Sequence, residues 1–131
     1  MVRYARIAYR GVIWLFVACV VVQVFLAGVG VFVGEDRFEL HRTFGYTFGW
    51  LALLLPLLAL AGRLGRRTIG LSFLVTVLFI LQSVFVALRT DMPYLAALHP
   101  VNALAIFWLS FSLARGSRQF AANPATTSST R

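Results

Sequence analysis

At 131 residues and 14.6 kDa the chain has the length of one small domain, yet 60% of it is hydrophobic and its mean hydropathy is +0.86. Charged residues make up 12%, about half of the roughly 25% usual in soluble domains, and a soluble globule this short cannot bury so much apolar surface. A net charge of +8 would suggest nucleic acid in a soluble protein, but the basic residues are all Arg and they sit between apolar runs, as membrane-topology signals do, which excludes that partner.

Four uncharged runs, Gly11 to Gly34, Thr43 to Gly62, Thr68 to Leu88 and Met92 to Ala114, each reach the length of about 20 residues that crosses a bilayer. The predicted fold is all-α: a four-transmembrane-helix up-down bundle with helices at about 11–34, 41–62, 68–88 and 93–114, inside one domain of residues 1–118. Arg3, Arg6 and Arg10 precede the first helix, and the basic start followed by an apolar run resembles a signal peptide. The run is too long and lacks a small-x-small cleavage site, so it reads as a retained helix. Within it Cys19, the sole cysteine, reads as a small apolar residue, Gln23 is a polar residue at membrane depth, and Gly28 and Gly30 read as packing positions.

The first loop holds Glu35, Asp36, Arg37 and Glu39 and leads to His41 and Arg42 at the start of the second helix. Gly45 and Gly49 follow His41 at i+4 and i+8, on one helical face. They would let a flat ligand lie against the helix, or serve equally as a small-xxx-small helix contact. Pro56 should kink this helix, which could run past Arg63. Arg63, Arg66 and Arg67 form the middle loop, Gln82 lies in the outer half of the third helix, and Arg89 and Asp91 occupy the third loop. His99 and Pro100 open the fourth helix, with Asn102 one turn on and Ala103 and Phe107 on the same face as His99. Arg115, Arg118 and Arg131 follow. The positive-inside rule therefore puts both termini and the middle loop in the cytoplasm and the two acidic loops outside. Tyr4, Tyr9, Trp14 and Trp108 fall near the inner interface, Tyr46 and Tyr94 near the outer one, and residues 119–131 read as a disordered cytoplasmic tail.

The chain repeats itself: Arg10, Gln23 and His41 correspond to Arg67, Gln82 and His99 at offsets near 58, which makes two parallel hairpins about an axis along the membrane normal. In an up-down bundle the second and fourth helices stand diagonally, so His41 would face His99, the arrangement of the two axial ligands of a haem b. Gln23 and Gln82 would bond one another, a cofactor edge or the second ring nitrogen of a ligating His. Arg42 and Arg89 at the rim could hold propionates, and Glu39 could accept a proton. A helical ruler leaves one mismatch: His41 stands roughly 33 Å from its nearest inner Arg, against about 24 Å for His99.

These residues resemble one four-helix half of the haem A synthase family: Gln23 with "AGVG" in the first helix, "FELHR" at His41, Gln82, and "LHPVNA" at His99. The segment also looks like a family of small four-helix bacterial membrane proteins of unknown function. The synthase places a Glu three residues before its second-helix His, where this chain has Phe38, with Glu39 one residue further. The resemblance implies haem ligation by His41 and His99, and the synthase's methyl oxidation only if two chains pair, since one half holds one macrocycle and that reaction needs two. The expected function is a bis-histidine haem b protein for electron transfer or haem handling at the outer side of a bacterial plasma membrane. The alternatives are a cofactor-free accessory subunit of a larger membrane complex, and a proton or quinone site using His41, His99 and Glu39.

Overall fold

The computed structural model describes residues 1–118; the expected disordered tail lies outside them. Helix α1 runs Val2–Phe32, a 3-10 turn Glu35–Arg37 leads into α2 at Phe38–Ala61, and α3 spans Arg66–Ala87. A four-residue helix α4, Pro93–Ala96, precedes α5, Leu98–Gly116. Four spans are long and apolar enough to cross a membrane. α1 starts well before the expected residue 11, because Arg3, Arg6 and Arg10 are good helix formers and charge does not end a helix. Pro100 falls in the first turn of α5, where its missing N–H costs no hydrogen bond.

Around the bundle α1 touches α2 and α5, and α3 touches the same two, so α2 and α5 are diagonal as the short connections require. The inward stripe of α1 is Tyr9, Ile13, Phe16, Val17 and Val20, packed against Ala52, Leu55 and Ala59 of α2, Val75 of α3 and Ile106 of α5. Small buried residues such as Ala52, Ala59, Ser72, Ser110 and Ala114 allow the helices to approach closely. Long apolar side chains point the other way: Phe25, Leu57, Val77 and Leu104 are all exposed, as a lipid-facing surface demands.

Buried hydroxyls find partners. The Tyr9 and Ser72 hydroxyls are 2.9 Å apart, and Thr76 Oγ1 donates to the Ala52 carbonyl at 2.6 Å. Tyr9 is thus a core residue with 0% exposure rather than an interfacial ring.

The arginine end of α2 closes differently from the expected extension past Arg63. The Leu64 N–H reaches the Ala59 carbonyl and the Arg63 N–H reaches that of Leu60, while Arg63 takes a left-handed φ of 48°. This is a Schellman closure with Arg where Gly is usual. Arg6 Nε donates to the Gly62 carbonyl at 2.9 Å, so Arg6 marks the level of the end of α2. Measured from Arg6, Gln23 stands about 26 Å along α1, against about 32 Å from Gly62 to His41 along α2.

Candidate functional site

At the acidic end the two histidines meet. The ring centroids of His41 on α2 and His99 on α5 are 6.2 Å apart with planes inclined at 61°. Each ring is held from behind in the same way. His41 Nδ1 is 3.0 Å from the Gln23 carbonyl of α1, and His99 Nδ1 is 3.2 Å from the Gln82 carbonyl of α3. A carbonyl only accepts, so each Nδ1 carries the proton, and in the neutral ring Nε2 keeps its lone pair. Neither Nε2 bonds to another described residue. A backbone carbonyl on the second ring nitrogen is the usual support of a metal-ligating imidazole.

The glutamine side chains do different things. Gln23 Nε2 donates to the His41 carbonyl at 2.8 Å, which leaves its buried Oε1 with no partner among the described residues. Gln82 Oε1 instead accepts from Asn102 Nδ2 at 2.9 Å, and that amide also reaches the Leu78 carbonyl at 2.8 Å. Gln23 and Gln82 do not bond one another; at the acidic end the two repeats meet through the histidine pair.

Gly45 and Gly49 each have a close neighbour, and Gly49 also lines an open apolar groove of about 370 Å³ between α2 and α3, with Tyr46, Trp50 and Phe79 beside it. A Cβ on Gly45 would fall 2.7 Å from Gln23 Nε2, and one on Gly49 would fall 2.8 Å from the Phe79 ring. Phe79 belongs to a trio with Phe16 and Phe48, with centroids 5.3 to 5.8 Å apart, that fills the core below the histidines. Gly30 admits the Phe38 ring, which stands edge-on to His41 at 6.2 Å, whereas Gly28 has open space beside it. Arg42 is ion-paired with Glu39 in the same exposed turn, and Glu39 also accepts from Thr43. Arg89 donates to the Val86 carbonyl at the end of α3, so among the described residues neither rim arginine nor Glu39 is hydrogen-bonded to a histidine.

The aromatic trio escaped the sequence, and of the histidine anchors only the residues were legible, not that their carbonyls do the bonding. Phe16, Phe48 and Phe79 carried no signal beyond hydrophobicity, whereas the Gln–His register at matching offsets did point to the anchors.

Fold and site together define a membrane-spanning four-helix bundle with a facing histidine pair at its acidic end. The chain belongs to a family of unknown function, DUF6220, whose model matches residues 23–89, just over half its length. The match contains Gln23, His41, Gly45, Gly49 and Gln82 and ends before His99. No curated protein and no solved structure matches the chain.

Proposed function

We propose that this protein binds one haem b, which His41 and His99 would hold, and serves electron transfer or haem handling at the acidic, outer face of a bacterial plasma membrane. The observation that carries the reading is the pair of opposed imidazoles, each with Nδ1 tied to a carbonyl and Nε2 left to coordinate. With ring centres 6.2 Å apart, His41 and His99 are close enough that both could hold one bound iron. Tetrahedral zinc fits poorly, because no three His, Cys, Asp or Glu side chains come together among the described residues.

A bound haem supplies one-electron chemistry at iron. The residues of the chain orient the rings, exclude water through the phenylalanine trio, and place the neutral amides of Gln23, Gln82 and Asn102 around the site. Arg42 would reach a propionate only by exchanging its bond to Glu39. The resemblance of the Gln, Gly and His positions to half of haem A synthase would extend the reading to a synthase-like activity in an oligomer. A second reading, a cofactor-free subunit packing against a larger membrane complex, is favoured by one observation: Gly45 and Gly49 are filled by Gln23 and Phe79.

The optical spectrum of the protein purified under haem supply, with iron quantified per chain, separates the two. The haem reading expects about one iron per chain and a sharp reduced α band that is lost in both His41→Ala and His99→Ala. Colourless, iron-free, monodisperse protein would sink it and leave the packing role.

A further inference from the structure

The arginine end of the bundle carries no acid, since Glu35, Asp36, Glu39 and Asp91 all sit in or beside the loops of the opposite end. Two of its guanidinium groups, Arg115 and Arg118, lie one turn apart where α5 finishes, and each is seated over a ring. Arg115 stands 6.0 Å from the ring centre of Phe111, and Arg118 stands 5.5 Å from that of Trp14 on α1. Trp14 and Phe111 meet edge to face at 6.1 Å, which joins the two cation sites into one patch. Ring faces hold the two like charges in place without neutralising them, and both residues are exposed, which leaves their N–H groups open to an anion.

A shallow groove lined by Trp108, Phe111, Ser112 and Arg115 adjoins the patch. Trp108 is 69% exposed, and the Ser112 hydroxyl is spent on the Trp108 carbonyl at 2.7 Å, so the groove offers an alkyl chain no competing free donor. Trp108, Phe111, Arg115 and Arg118 recur at helical spacing and form one stripe. It passes from apolar to cationic over about 15 Å of helix, in the order and on the scale of a phospholipid's upper chain and headgroup.

We infer that this stripe is a binding site for an anionic glycerophospholipid, with its phosphate shared by Arg115 and Arg118 and an acyl chain along the groove beside Trp108. Charge complementarity selects the headgroup, and the groove selects a lipid over free phosphate. The inference is independent of any haem.

The test uses the full chain in phosphatidylcholine nanodiscs, in a Trp50→Phe background that leaves only Trp14 and Trp108 fluorescent. Trp50 is lipid-exposed, so its replacement leaves the core intact, and unchanged far-UV circular dichroism checks this. Brominated phosphatidylglycerol should quench these tryptophans with an apparent affinity on the order of tenfold above that of brominated phosphatidylcholine. The double substitution Arg115→Gln with Arg118→Gln should bring that ratio to about one, while Arg66→Gln with Arg67→Gln, an equal loss of charge at the same end, should retain it. Equal quenching by both lipids overturns the proposal. So does an equal loss in both double variants, which would indicate only a diffuse field, and so does reversal of quenching by inorganic phosphate, which would indicate a simple anion site.

Discussion

At the scale of single residues, the glycines of α2 divide according to what they touch. A methyl group on Gly45 meets the end of the Gln23 side chain, which can swing away at the cost of one hydrogen bond to the His41 carbonyl. A methyl group on Gly49 meets the Phe79 ring, packed against Phe16 and Phe48, and that stiff ring must shift as a whole toward the groove it lines. Set against a gain of about 1 kcal/mol in helix propensity, the loss of about 0.5–1.5 kcal/mol at Gly45 should leave Gly45→Ala near neutral, while the loss of about 1–3 kcal/mol at Gly49 should leave Gly49→Ala destabilised, an order that thermal unfolding in detergent reads directly. Asn102→Ala should cost about 0.6–2 kcal/mol in the same assay, since it removes the bonds to Leu78 and Gln82. The histidines could be paired from the sequence because the offset of 58 residues recurs. Their Nδ1 partners were harder to foresee as carbonyls, because every residue carries a carbonyl and only the register of adjacent helices selects one.

At the scale of elements, helix existence was legible and helix ends were not. Hydropathy over windows of membrane length marks the four spans, but the arginine-bearing first turns of α1 are invisible to it, and so is the Schellman turn that stops α2. Arg63 adopts its positive φ because the closure bonds of Arg63 and Leu64 require it. A left-handed non-glycine residue costs about 1–2 kcal/mol, part of which the greater unfolded freedom of Gly cancels. Arg63→Gly should therefore stabilise the protein by about 0.5–1 kcal/mol, seen as a higher unfolding midpoint, and a lower midpoint would show that the Arg63 side chain has work of its own. The buried Tyr9 shows a related limit: its depth along α1 was readable, whereas its rotation toward Ser72 depended on which neighbour the third helix presented.

At the scale of the whole molecule, the polarity of the bundle makes a topological prediction. Arginines gather at one end and acids at the other, so the arginine end should face the cytoplasm. In a Cys19→Ala background, Thr90→Cys should react with a membrane-impermeant maleimide on intact cells, and Gly65→Cys only after permeabilisation; the reverse pattern would invert the assignment. The two hairpins share one plan but not one set of contacts. Where the second hairpin offers Asn102 to Gln82, the corresponding place in the first is Phe44, and the Gln23 oxygen goes without a donor. Half a turn about the long axis exchanges the imidazoles without exchanging their surroundings. A flat guest clasped between them would find its left flank unlike its right, so this duplicated frame has a handedness that its matching offsets conceal.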